Sequence, residues 1–353
     1  MILRVNVGEC IEITLTNELT GATDHEQDKI HGYPAVPVEV PFPSSDRISL
    51  HPQMLAYDVR TSDGATVGFN DDQTIGPGES ITYRWYADYE VGSVGLWDMA
   101  DIRNHRHHGA FGMLIVEPRG STYLDPMNRE KEAVGNQVIL SNPLLSETRE
   151  FALLMHDGVR LMDKDGRLII DPEPLFVRRE EPIADFEDQG SRGFNYRAER
   201  FSHRLTNLDD LSKVFRSTDH GDPATPLFIA YAGDPVLFRF TAPADRARGH
   251  AFTIHGHKWL RSSNDVNSSI ISVKGQNMPG ANGSFPLFYG AGGYHQDPGD
   301  YLYRSGNIRW DIELGLWGIM RVLAERIPYL ASLDESNFYP RKKVQGDHGD
   351  ESA

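Results

Sequence analysis

The sequence predicts an all-β protein built from two similar β-sandwich domains. Three observations carry this prediction. Apolar residues recur at every second position in short runs, turn residues separate those runs, and the same signals return in the same order in the two halves of the chain. The 353 residues include 33 glycines and 21 prolines, which punctuate runs rich in β-branched and aromatic side chains. Period-two alternation between such breaks marks strands with one buried face.

The elements follow in chain order. In CIEITLTN, Ile11, Ile13 and Leu15 alternate with Glu12, Thr14 and Thr16. In SITYRWY, Ile81, Tyr83 and Trp85 share a face, and in DPVLFRF so do Val236, Phe238 and Phe240. Long helical patterns are few; the best is GIMRVLAERI, which Pro328 ends. The Asp-Gly pairs at 157–158 and 165–166 suit tight hairpin turns. The segment DKDGRLIID faintly resembles a calcium loop but lacks the third acidic position before its glycine, so an ordinary loop is expected.

The repeat organises the chain. NVGECIEITL resembles YAGDPVLFRF, GPGESITYR resembles DPGDYLYR, and GAFGMLIV (109–116) resembles GLWGIMRV (315–322). The spacing between partners shortens toward the end, so the first half carries extra residues just before its Gly-aromatic-Gly corner. The expected organisation is a first domain at 1–122, a linker at 123–146, a second domain at 147–325 with a long polar excursion near 172–225, and a tail at 326–353.

Bulk properties exclude several classes. A net charge of −16 disfavours nucleic acid and anionic membrane surfaces as partners. No apolar run approaches the roughly 18–20 residues of a membrane span. Cys10 is the single cysteine, so no intramolecular disulfide can form, and it reads as an ordinary residue. The N-terminus MILRVNVGEC enters strand-like sequence at once, with no export signal and with the first strand of its sandwich expected to be clipped. That start suits one part of a larger polypeptide. No nucleophile elbow, phosphate loop or His-Glu-X-X-His motif is present.

The chemistry-bearing stretch is HAFTIHGHKW, with His250, His255 and His257 in eight residues. On an alternating strand, 253, 255 and 257 would share one face and 250 the other. A second histidine run is RNHRHHG, with His105, His107 and His108 close to Asp98 and Asp101. It reads either as a His/Asp site for copper or zinc or as a solvated loop in which Arg103 and Arg106 repel a cation.

Taken together, LRVNVGECIEITLTN, SLHPQMLAY, GPGESITYRWY, DIRNHRHHGAFGMLIVEP, AGDPVLFRF, HAFTIHGHKW and GLWGIMRV resemble the multicopper oxidases, nearest to the branch that includes ceruloplasmin and the large bacterial copper and manganese oxidases. The resemblance implies two tandem cupredoxin-like Greek-key β-sandwich domains, copper as cofactor, copper ion binding and oxidoreductase activity. It also implies further cupredoxin domains or subunits as partners, and a family that works outside the cytoplasm. In that family a type 1 copper, held by two histidines and a cysteine, takes electrons from substrate. A trinuclear cluster held by four His-X-His pairs then reduces dioxygen. Thiolate stabilises Cu(I) and gives fast electron transfer, while imidazole suits both copper oxidation states.

Position by position, the resemblance implies lost ligands. In LHPQML, His51 stands at a ligand position and Gln53 replaces its partner. In LWDMAD, the stretch Asp98, Met99 and Ala100 holds no histidine. In HAFTIHGH, His250 matches a type 1 ligand, Thr253 replaces a cluster ligand, and His255 matches another. His257 matches a histidine that is not a ligand in the family. In SGNIRWDIELG, Ser305, Gly306, Asn307 and Asp311 replace every ligand, the cysteine included. The candidate metal ligands are therefore His51, His250 and His255, with His51 and His255 expected to converge if the domains face each other, and separately His105, His107 and His108. The alternative for His250 and His255 is a hydrogen-bonded role in a domain interface. The expected function is that of a multicopper-oxidase segment that does not by itself reduce oxygen; the alternatives are a non-catalytic metal-binding module and a structural interaction module.

Overall fold

A computed structural model describes residues 1–20, 45–102, 105–131, 135–159, 191–205, 210–244, 250–263, 265–276, 281–308 and 310–334. Seven strands form the first sandwich: β1 (Ile2–Asn6), β2 (Cys10–Thr16), β3 (His51–Pro52), β4 (Ala56–Tyr57), β5 (Ser80–Tyr86), β6 (Gly92–Trp97) and β7 (Phe111–Glu117). One sheet has the order β1-β7-β6-β3 and the other β2-β5-β4. Their facing sides bury Val5, Tyr83, Trp85, Val94, Leu96, Leu114 and Val116. The outer side of the smaller sheet is polar, with Thr14 hydroxyl to Thr82 at 2.8 Å, Thr16 to Ser80 at 2.8 Å, and Arg84 to Glu12 at 2.6 Å.

The second sandwich follows: β8 (Thr122–Leu124), β9 (Gln137–Asn142), β10 (Leu145–Val159), β11 (Ser191–Phe194), β12 (Leu227–Tyr231), β13 (Val236–Ala244), β14 (His250–Ile254), β15 (Trp259–Leu260), β16 (Ile270–Ile271), β17 (Val273–Gln276), β18 (Ala281–Pro286), β19 (Gly299–Ser305) and β20 (Trp317–Leu323). One sheet has the order β18-β13-β10-β9-β8, with β11 alongside β10; the facing sheet has the order β12-β20-β19-β14-β17. Phe151, Phe228, Phe238, Phe240, Phe252, Phe285, Trp259 and Tyr303 fill the space between them. The helices are single turns: α1 (Phe201–Arg204), α2 (Ser217–His220) and α3 (Trp310–Glu313).

The two domains dock sheet on sheet. The outward residues of β7, Phe111, Met113 and Ile115, pack against Ala152 and Leu154 of β10. Thus β7 is buried along its whole length on both faces. A buried charge cluster ties the same joint together. Arg4 donates to Glu150 at 2.7 Å, and Arg239 donates to Glu117 and to Glu150. Burial pushes the Glu117 carboxyl well above its usual range, against the pull of Arg239.

The repeat is visible in the pairing. β1 runs parallel to β7 as β12 does to β20. β2 pairs antiparallel with β5 as β13 does with β18. β6 links β7 to β3 as β19 links β20 to β14. One sequence correspondence is corrected by this: GPGESITYR feeds β5, the counterpart of β18, whereas DPGDYLYR feeds β19, the counterpart of β6. A Pro-Gly turn before an aromatic strand is a local signal that fits more than one strand of a sandwich.

Other expectations also change. GIMRVLAERI is not a helix; its first half is β20, whose Met320 and Val322 enter the main core while Trp317 and Ile319 enter a second cluster. Burial on both faces hides a strand's period of two. Asp157-Gly158 is not a hairpin turn but a bulge inside β10, where the register to β11 shifts and Gly158 takes φ 80°. The stretch read as a linker carries part of β8 and all of β9. Residues 330–334 strap back onto the domain: Arg149 donates to the Ala331 carbonyl, Arg129 to that of Ser332, and Tyr231 to that of Leu330. The Asp-Gly pair at 165–166 and the segment DKDGRLIID lie outside the described residues. Among those described, no helix is long and apolar enough to cross a membrane.

Candidate metal centre

β14 is held between β17 and β19, which fixes His250 at its start. Its parity is that of Phe252 and Ile254, so its ring points into the domain, and the residue is 3% exposed. There it meets two carboxylates from distant parts of the chain. Nδ1 lies 2.8 Å from Asp311 on α3, and Nε2 lies 3.0 Å from Asp157, which the β10 bulge turns inward. Arg192 of β11 spans the same two carboxylates, at 2.8 Å from Asp157 and 3.2 Å from Asp311. Ser305 also donates to Asp311. Burial works to strip the proton from His250, but its hydrogen bonds and the charges of Asp157 and Asp311 prevail and push its pKa up to about 9. At neutral pH the cluster therefore holds an imidazolium and a guanidinium against two carboxylates, and both ring nitrogens of His250 face carboxylate oxygens.

That arrangement does not fit a copper ion at this position. A metal ligand must offer a neutral imidazole lone pair, and here both ring nitrogens face carboxylate oxygens, which favours the protonated ring. Gly306, where the resemblance implies the cysteine, is packed so closely that an added Cβ would stand 2.5 Å from the Ala251 Cβ. Cys10 is exposed on β2 of the other domain.

The other histidines are held separately. His51 directs Nδ1 at Asp63, 2.7 Å from its carbonyl and 3.1 Å from its carboxylate, and packs edge-on against Tyr57. Gln53 accepts a hydrogen bond from Asn282 of the second domain at 2.9 Å, so the amide serves the domain joint. His255 is exposed, and its Nε2 accepts from Arg304 at 2.9 Å. Burial and the adjacent guanidinium depress its pKa. Each of these rings is held by a neighbour in its own domain. Thr253 donates to the Ser272 carbonyl. β14 ends at Ile254, and Gly256, at φ 72°, turns the chain so that His257 is buried, instead of continuing the face of His255. Its Nδ1 donates to the His255 carbonyl and its Nε2 accepts from the Gly292 amide, and burial depresses its pKa, so it is a neutral anchor for the 289–297 loop.

In the second run, His105 is 6% exposed on a short 3-10 turn, with Nδ1 3.1 Å from Asp98 and Nε2 2.7 Å from the Ser45 carbonyl. Burial opposes its charge, but the Asp98 and Ser45 contacts raise its pKa overall. Asp98 also accepts from the amides of Ser49, Ala100 and Asp101, so the pair organises a loop. His108 is exposed. The side chain of His107 lies outside the described residues. Among those described, no group of three His, Cys, Asp or Glu side chains is arranged to hold a metal ion. A cleft of about 590 Å³ opens between the domains, lined by Ile2, Leu3, Gln137, Leu154, Tyr196 and Leu227 among others, and none of the candidate histidines lines it.

Asp157 and Arg192 were not visible as site residues in the sequence. Asp157 left a trace, an acid after the apolar run FALLM that a bulge could turn inward; Arg192 left none. Asp311, where the resemblance implies a lost histidine ligand, is what pairs with His250.

No protein-family model matches this chain, and no curated protein does either. Solved structures do. A multicopper oxidase crystal structure is 13% identical, covers 91% of this chain and 77% of its own, and has a TM-score of 0.50. A copper nitrite reductase from Nitrosomonas europaea is 15% identical, covers 96% of this chain and 88% of its own, and has a TM-score of 0.53. At these identities the likeness speaks to architecture alone: the chain has the all-β cupredoxin-like fold of copper proteins, used twice in tandem.

Proposed function

We propose that this chain is a two-cupredoxin module of the multicopper-oxidase type in which the electron-accepting copper position has been rebuilt as a proton-bound ion-pair cluster. It serves as a scaffold and interaction module, in company with further cupredoxin domains or subunits, and does not turn over substrate on its own. The observation that carries this reading is His250 clamped between Asp157 and Asp311 with Arg192 across them. Charge balance there is met by a proton and a guanidinium, where copper would need a thiolate and two neutral imidazoles.

The test is copper loading of the purified chain, followed by metal analysis and an oxygen-uptake assay with Fe(II), Mn(II) or a phenol. The expected result is no stoichiometric copper and no oxygen uptake above buffer. An intensely blue protein whose oxidase activity disappears in His250→Ala would sink the reading. A second reading, metal binding without turnover, draws on His255. Its exposed, neutral imidazole is in the state ligation requires. In the same titration, stoichiometric Cu(II) or Zn(II) lost in His255→Ala would favour it.

A further inference from the structure

The second sandwich shows what the first one lacks. Its β13 is paired on both sides, antiparallel to β18 and parallel to β10, with Arg149 opposite Val236 and Leu154 opposite Thr241. β2 takes the place of β13 in the first sandwich and has the corresponding partner, β5, on one side. Among the described residues nothing pairs with its other side. Burial records the difference. Val236, Phe238 and Phe240 are 2%, 0% and 0% exposed, whereas Ile11, Ile13 and Leu15 are only half-buried although they pack against the corresponding core.

Among the described residues this edge is also lightly defended, with Glu12 as its one charge. Its ladder with β5 runs from Cys10 opposite Tyr86 to Thr16 opposite Ser80 with no bulge, and CIEITLT contains neither proline nor lysine, the usual devices that blunt an edge. The direction of its free groups can be derived. Asn17 N–H donates to the Glu79 carbonyl and Ala87 N–H to that of Glu9. Antiparallel pairing alternates, so 11, 13 and 15 bond toward β5, and the N–H and C=O groups of Cys10, Glu12, Thr14 and Thr16 point away from it.

We propose that this edge is the acceptor for an added strand: an extended segment of a partner polypeptide that runs parallel to β2 and alternates apolar and polar residues. β10 supplies the template, since its Phe151, Leu153 and Met155 seal the core beside β13. The partner differs from β10 on its other face. β10 turns Ala152 and Leu154 onto the neighbouring domain, but the outer face beside β2 carries Glu12, Thr14 and Thr16, and the chain's net charge is −16. Polar outward residues therefore suit it, and basic ones suit the chain's overall negative charge, Glu12 itself being paired with Arg84. Main-chain bonds to the edge would give affinity and the inward apolar residues register. The proposal stands whether or not copper is bound.

The probe is a synthetic seven-residue peptide that alternates Phe, Leu and Met with Lys and Thr, added at millimolar concentration to the intact chain. Amide hydrogen exchange is the readout. In the free chain, the β2 amides should exchange at least roughly tenfold faster than those of β13, and the peptide should slow them by a similar factor. Thr14→Pro, which removes an outward N–H and leaves the β5 ladder alone, should abolish that protection while Trp85 fluorescence stays native. A nitroxide on Cys10, at the start of β2, should broaden signals of the peptide's N-terminal residue, as parallel addition requires. β2 amides already as slow as those of β13, no protection by the peptide, equal protection by a peptide of the same composition without alternation, or broadening at the peptide's C-terminal end would each overturn the proposal.

Discussion

Replacing His250 by glutamine removes a buried positive charge and leaves two carboxylates facing the single guanidinium of Arg192. The wild-type histidine would titrate near 6.5 in the unfolded chain and is held at about 9 in the fold. Because the folded value is the higher one, the proton's contribution is fully present below pH 6.5 and is lost as pH rises through about 9. At about 1.4 kcal/mol for each tenfold change in proton affinity, the contribution is about 3 kcal/mol. Urea unfolding followed by tryptophan fluorescence, at pH steps from 6.5 to 10, measures it. The gap in stability between wild type and His250→Gln should be largest at pH 6.5 and close by about 3 kcal/mol toward pH 10. His105 and Glu117 also titrate, but they are common to both proteins and cancel in the difference. A gap that stays constant over this range would refute the protonated cluster, and with it the claim that a proton occupies the electron-accepting position.

The remaining predictions concern the domain joint and the core. Burial, with the neighbouring Glu150, raises the pKa of Glu117, so its contribution to wild-type stability should fall as pH climbs above the ordinary value of 4.5 toward the raised one. Glu117→Gln, which mimics the neutral acid, should flatten that fall in chemical denaturation, whereas Arg239→Met should cost about 3–5 kcal/mol by leaving Glu150 with Arg4 alone in a buried site. Phe238→Ala, at 0% exposure and edge-on to Phe151 and Phe228, should cost about 3–5 kcal/mol in the same measurement.

The fold was legible because alternation and turns are local. Ile11, Ile13 and Leu15, or Val236, Phe238 and Phe240, announce their strands without reference to any partner. What failed were the segments whose pattern is set by two neighbours at once. β20 is apolar on both faces and reads as a helix; the Asp157 bulge lies inside a strand and reads as a turn; β9 waits for β10 and reads as a linker. The site was half legible. His250 and Asp311 stand 61 residues apart in positions that pattern matching can flag. Arg192 has no sequence mark, because its role depends on β11 lying beside β10 and on two carboxylates that arrive from elsewhere. The residues standing at the ligand positions that the resemblance implies could be read from the sequence, but how they pair is a property of three-dimensional charge balance.

The ladder of Thr14 with Thr82, Thr16 with Ser80 and Glu12 with Arg84 marks where the molecule's lengthwise growth ends. The surface equivalent to it on the other half is the greasy one by which the halves are glued, and here it is wetted instead. At the opposite pole, Phe201 and Phe215 roof over Trp317 and Ile319. With its outer face wetted in this way, the small sheet of the first sandwich lacks the apolar surface by which the two halves are joined.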